Sequence, residues 1–404
     1  MTVITRGGLA LKTLAIVGLV VTFLNFDISK VFLGAFFLKM TGNYRDIGTY
    51  VATALAAQMF TFILLSRRVS AGQISVRKLF QYGFTFSACT FAALSIFHER
   101  IPEMPILFAA FQGIGLGLFW IPLNIVMFQA FRPGERGKLF AAMPLVAALV
   151  GIIGRPVQGW TVAHLGGYGA AFANIAMVYI FVGLFFKVFY IDEIREKSSY
   201  DFAGFVAKAQ ESFSIRRALY GFGLLGWTVL GPLDFILPAV LYKKLGSELA
   251  LGMITACLPF IDMTMSFLVG RSGYEKRLKI LKIAAVLGFI GAIALSISPT
   301  LTMILVFMVL WAICAPVLVI SSNILSAAVT DLVPAARDHQ FEYITLREIS
   351  IASQRIVSIA IGIALSYVLT GETLVSWLLR IAAVGVIVQA VYLVSVARGV
   401  GHHE

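Results

Sequence analysis

Phe131-Arg132-Pro133-Gly134-Glu135-Arg136 and Leu332-Val333-Pro334-Ala335-Ala336-Arg337 share a Pro-x-x-Arg pattern, offset by 201 residues. Each hexapeptide separates two long apolar runs. Counting on from each Arg, the following run contains Arg155 after nineteen residues and Arg355 after eighteen. A charged group thus recurs at nearly the same depth in two halves of one chain. That recurrence predicts an internal repeat, and the composition around it says in what solvent the repeat must fold.

Of the 404 residues 59% are hydrophobic and only 13% charged, with a mean hydropathy of +0.92. Soluble domains hold about 45–50% apolar and about 25% charged residues. A water-facing fold, a disordered chain and a disulfide-rich secreted fold are all excluded. The solvent must be mostly lipid. Cys89, Cys257 and Cys314 each sit in an apolar run and read as packing residues, so neither a disulfide nor a metal site is implied.

A membrane-crossing helix needs about 20 apolar residues. Twelve such segments are expected: 12–38, 46–66, 79–97, 105–130, 139–163, 168–190, 218–242, 248–269, 281–297, 301–329, 342–369 and 373–396. The fold class is therefore all-α and integral to the membrane, with two pseudo-symmetric six-helix bundles. Their bounds are 1–190 for the N-terminal bundle, 191–217 for a cytoplasmic linker and 218–404 for the C-terminal bundle. The net charge of +12 falls mainly in loops on one side. Twenty Lys and Arg lie there against five on the other, which by the positive-inside rule puts both termini in the cytoplasm. No nucleic-acid partner is needed to explain the positive balance. Within the linker, Phe202, Phe205, Val206, Ala209 and Phe213 recur on one helical face, which predicts an interfacial helix on the inner leaflet or a tether between the bundles.

With the repeat in place, residues 111–160 become informative. Gly113, Gly115 and Gly117 sit in span four. Gly151-Ile152-Ile153-Gly154-Arg155-Pro156-Val157-Gln158-Gly159-Trp160 sits in span five. Together with the six-plus-six layout and the basic loops after spans two and eight, these residues resemble the major facilitator superfamily. Gly151, Pro156 and Gly159 match that family's span-five motif, which is associated with exporters; Arg155 and Trp160 stand where the motif has glycines. The resemblance implies a secondary transporter working by alternating access as a functional monomer, with no cofactor and no enzymatic activity.

Ionisable groups at the bilayer centre cost at least about 2.5 kcal/mol each, so they face a cavity or a partner. Arg155 and Arg355, one per half, either clamp an anionic solute bidentately or form internal ion pairs with Asp27, Asp234 or Glu348. Asn124 and Asn323, at matching depth in spans four and ten, are further substrate-binding candidates, with Gln354 and Trp120; Gln58, Trp227 and Trp311 are additional cavity candidates. Asp234, Asp27, Lys30, Asp262 and Glu348 are the candidates for proton coupling or gating. Lys30 is one turn from Asp27, which favours a salt bridge. Asp234 lies between Pro232 and Pro238, where an interrupted helix would free carbonyls near a site. Glu348 and Arg355 are seven residues apart and share a helical face, whereas Arg347 is expected to snorkel to the cytoplasmic surface.

The expected activity is proton-coupled transport of a small anionic organic solute across a cytoplasmic membrane, of bacterial inner-membrane type given the short outer loops. The alternatives are a proton-driven efflux pump for lipophilic drugs, a lipid flippase, or a sensor or assembly subunit that transports nothing. A membrane enzyme would need a nucleophile or metal ligands in a sizeable loop, and the 191–217 loop has neither His nor Cys.

Overall fold

The computed structural model describes residues 29–129, 133–188 and 200–400. Asp27 lies outside the described residues, as does the side chain of Lys30. A π-helical turn, Ser29–Leu33, leads into α1 (Gly34–Thr41). There follow α2 (Tyr44–Ser70), α3 (Val76–Ile96), α4 (Pro105–Gln129), α5 (Pro133–His164) and α6 (Gly167–Val188). Two short helices come next, α7 (Phe202–Glu211) and α8 (Phe213–Gly223). The rest are α9 (Leu233–Leu245), α10 (Glu248–Thr255), α11 (Leu258–Arg271), α12 (Tyr274–Ile297), α13 (Leu301–Leu332), α14 (Pro334–Asp338), α15 (Gln340–Leu365) and α16 (Gly371–Val400).

Nine segments among the described residues are long and apolar enough to cross a membrane, with α10 and α11 forming one of them. The other three expected spans fall on Ser29–Thr41 and what precedes it, on α5, and on the α8–α9 pair. Large apolar side chains such as Phe60, Ile96, Phe181, Ile283 and Val391 are exposed on the outside. In water such a surface would be unstable; in a bilayer it is the lipid contact. The chain is a multi-pass membrane protein.

The repeat is visible in the turns. α1 ends at Gly42 with φ 69°, and α9 ends at Gly246 with φ 65°. A glycine adopts this left-handed cap without the steric cost of a Cβ. In each case the next residue caps the following helix: Asn43 accepts from Arg45 N at 2.8 Å, and Ser247 from Ala250 N at 3.3 Å. Such a cap contributes about 1 kcal/mol.

Helix packing follows the small residues. α4 lies against α2, where a Cβ on Gly117 would sit 2.7 Å from Thr61 and one on Gly113 would strike the Ala54 carbonyl. α3 closes on α4 at Gly83, where a Cβ would lie 3.2 Å from the Phe119 nitrogen. Across the halves, α5 runs along α10 and α11, α2 along α15, and α1 along α9. A Cβ on Gly159 would lie 2.7 Å from the Glu248 carbonyl oxygen, and one on Gly252 would lie 2.5 Å from that of Arg155.

Two observations refine the expectations. Spans seven and eight are both interrupted, span seven near Pro232 as expected from the flanking prolines, span eight without such an expectation. Span seven unwinds after a 3₁₀ turn, Leu224–Gly226, and resumes at Leu233; Gly223, Gly226, Gly231 and Pro232 weaken the ladder there. Span eight breaks between Thr255 and Leu258 because Pro259 has no N–H to give to the Thr255 carbonyl. The second is a correction and concerns α7. Its Phe205 and Ala209 do not lie on lipid; they are buried with Ile215, Ala218 and Tyr343. Asp201 N donates to Glu342 at 2.9 Å, and Lys208 meets His339 at 2.9 Å, so α7 is docked on the start of α15.

Candidate functional site

Between the halves lies a cavity of about 420 Å³, within the range of roughly 300–1,000 Å³ usual for small-molecule sites. α2, α4 and α5 supply one wall; α9, α11, α13, α15 and the broken stretch of span seven supply the other. Trp120, Asn124, Arg155, Asp234, Asp262, Asn323, Glu348 and Arg355 all line it. Eight side chains singled out in the sequence are thus brought to one place. Gln58 and Trp311 join them, whereas Trp227 does not. Gln354 is not part of the lining either; its amide lies against Gly223 at the end of α8. Asp27, outside the described residues, and the Lys30 side chain are not placed.

Two of the arginines lining the cavity, Arg155 and Arg355, have a backbone partner. The Arg355 Nε–H donates to the Leu230 carbonyl at 2.7 Å, in the unwound part of span seven. An Arg155 N–H donates to the Thr255 carbonyl, at the break in span eight. Arg155 belongs to the first half and Thr255 to the second, so this bond crosses between them. Within the second half, the break in span seven has other ties. Ser358 Oγ donates to the Gly226 carbonyl at 2.8 Å, and Thr228 Oγ1 to Gln389 Oε1 at 2.7 Å. Gln389 in turn donates to Ser322 at 3.3 Å. Each buried carbonyl left without a donor would cost about 1–3 kcal/mol, so these ties are what let the helix stay open.

Arg347 does not snorkel. It is 2% exposed; one N–H group donates to Asn124 Oδ1 at 2.6 Å and to Glu348 Oε1 at 2.8 Å. Its guanidinium also stands 4.6 Å from the centre of the Phe222 ring. Three elements thus hold one charge, and the Asn124 bond joins the halves. Helical spacing alone could not reveal this, because the decisive partner lies 223 residues away. Asn124 and Asn323 make the same local bond, each amide donating to the carbonyl four residues back, Trp120 at 3.0 Å and Val319 at 2.9 Å. The repeat therefore extends to side-chain conformation. Asp234 occupies the first turn of α9, where the helix dipole favours a negative charge. Arg355 lies within electrostatic reach of Asp234 and Glu348.

At the α1–α9 end the halves are joined. Lys39 Nζ lies 2.7 Å from Glu248 Oε1, and the Tyr168 and Tyr242 hydroxyls donate to the same oxygen at 3.4 and 3.3 Å. Neither Lys39 nor Glu248 stood out in the sequence, because both border a loop where charges are ordinary. Among the described residues no cluster of His, Cys, Asp and Glu could hold a metal ion.

A sequence profile described as Major Facilitator Superfamily matches residues 15–341. The uncharacterized protein YqgE of Bacillus subtilis (strain 168) is 24% identical over 340 residues, covering 83% of this chain and 78% of that protein. The fold is similar to the human organic anion transporter MFSD10 (TETRAN), with a TM-score of 0.69 at 14% identity over 96% of this chain and all of the other. It is similar also to a bacterial homologue of the iron transporter ferroportin, solved outward-facing, at 0.67 and 13% identity, covering 97% of this chain and 100% of that one.

Proposed function

The chain belongs to the Major Facilitator Superfamily, and from that premise we propose that it is a secondary active transporter moving a small organic anion by alternating access. The solutes named for its structural neighbours differ in kind, so likeness of fold does not choose among them. The choice rests on one observation: arginines of both halves, Arg155 and Arg355, line a single cavity between them. A guanidinium keeps its charge at every physiological pH and matches a carboxylate or phosphate with paired donors. Rocking the halves about such a pair carries an anion from one side to the other. Asp234, at the head of α9, lining the cavity and within electrostatic reach of Arg355, is the proposed proton carrier. The positive-inside pattern supports an orientation with both termini in the cytoplasm and the Lys39–Glu248 pair on the outer side, and the proposed location is a bacterial cytoplasmic membrane.

The remaining walls favour a second reading. Met59, Phe62, Trp120, Met308 and Trp311 make much of the cavity apolar, as export of a lipophilic compound requires. Thermal unfolding of the purified protein in detergent separates the two. A ligand that binds the folded state raises the melting temperature. Stabilisation by organic anions, weakened in Arg155→Gln where Arg355 alone holds the anion, is the expected result. Stabilisation by lipophilic cations alone would overturn the anion reading and leave the arginines as scaffold.

A further inference from the structure

The two breaks in the second half share a chemical defect. In an intact helix the Thr255 carbonyl accepts from the N–H of residue 259, and the Leu230 carbonyl from that of residue 234. Residue 259 is Pro259, which has no N–H. The N–H of Asp234 is turned instead to Gly231, at 3.1 Å. Each missing donor is replaced by a guanidinium: Arg155 for Thr255 and Arg355 for Leu230.

Mere capping does not require arginine. One turn along α15 from Arg355, the neutral hydroxyl of Ser358 caps the Gly226 carbonyl of the same break. Neither Ser358 nor Gly226 lines the cavity, whereas Leu230, Thr255 and both arginines do. At these two breaks the charged donors sit on carbonyls that line the cavity, and the neutral one on a carbonyl that does not. A bond from one N–H of a planar five-donor fork fixes the plane in which the others point.

We propose that the gaps in spans seven and eight are positioning elements: their orphaned carbonyls grip Arg355 and Arg155 and aim them at the anionic group of the solute. Pro259 is then a positioning residue acting through Arg155. This rests on the anion reading above and adds what sets the affinity. A change in the bend of either span moves its carbonyl, re-aims the guanidinium and so changes the hold on the anion.

The test is a double-mutant cycle of Pro259→Ala and Arg155→Gln in the full-length protein in detergent. The P259A substitution supplies the missing N–H, closes the ladder and removes the carbonyl from Arg155. The probes are benzoate, succinate and phenyl phosphate, with affinity read from the rise in melting temperature. The expected result is that P259A weakens binding of the stabilising anion about tenfold in the wild-type background and not at all in R155Q. Binding unchanged in P259A overturns the positioning role and leaves the anion reading intact. An equal loss in both backgrounds overturns it too, since Pro259 would then act through cavity shape. A readout without solute runs in parallel: R155Q should lower the melting temperature less when residue 259 can donate to Thr255, and equal losses would overturn the link. If none of the three anions stabilises the wild type while that coupling is present, the anion reading itself has failed, and Arg155 is a structural cap.

Discussion

Lys39 and Glu248 lie 209 residues apart in the chain and 2.7 Å apart in space, one from each half. Glu248 collects three donors on one oxygen, from Lys39, Tyr168 and Tyr242. Two of the three, Lys39 and Tyr168, come from the other half, so removing the charge takes those bonds from the joined arrangement and shifts the equilibrium toward separation of the halves at this end. Half of the Lys39 side chain is exposed, which weakens the pair. Glu248→Ala is therefore expected to raise labelling of a cysteine placed at the fully buried Ala239 by roughly 2–5-fold. The background must lack Cys89 and Cys257, both exposed. The charge swap K39E/E248K should restore low labelling. Labelling that stays low in E248A removes the pair from any gating role.

Gly252 and Gly183 make a matched contrast. A Cβ on Gly252 would fall 2.5 Å from the Arg155 carbonyl, while one on Gly183 would meet Phe84 at an ordinary 3.5 Å. Gly252→Ala is expected to cost about 1–3 kcal/mol through overpacking, seen as a lower melting temperature. Gly183→Ala should be close to neutral. Equal behaviour of the two would refute the close approach of α5 and α10.

Asn124 holds a buried cation of the other half at 2.6 Å. Hydrogen bonds to charged groups contribute about 1.5–3 kcal/mol. Asn124→Ala should lower thermal stability by that amount, and Asn124→Asp, which still accepts from Arg347, should retain most of it. If Ala and Asp behave alike, the bond carries no weight.

Asp234→Asn is expected to abolish uptake driven by a pH gradient in proteoliposomes while leaving solute exchange across the membrane intact. The amide keeps the size of the side chain and cannot cycle a proton. Gradient-driven uptake at the wild-type rate would take Asp234 out of the coupling.

Much of the architecture could be read without coordinates, for a simple reason: in a bilayer, apolar length and basic loops dictate helices almost alone. The repeat was legible because Pro133 and Pro334, and then Arg155 and Arg355, keep their spacing. The grouping of Asn124, Asn323, Asp234, Asp262 and Glu348 at one cavity follows from the cost of polar groups in lipid, which forces them to one place. Partners were another matter. The fate of Arg347 depended on Asn124 in the other half, and nothing local encodes a contact over that distance. Gln354 shared the polarity of the cavity residues but faces Gly223, because polarity says that a side chain avoids lipid and not where it goes. The break in span eight was in fact written in Pro259, whose missing donor names Thr255 four residues back.

Mechanical compliance is unevenly shared in this protein. Gly113, Gly117 and Gly83 lock α4 against α2 and α3 with no slack between the helices, so this part of the first half behaves as a stiff jaw. The second half carries both interruptions and is the jaw that gives. An antibody fragment fastened to the turn between α3 and α4 would therefore ride along with a moving molecule and leave it working. One clamped over the turn between α9 and α10, beside the Lys39–Glu248 pair, would stall it without ever entering the cavity.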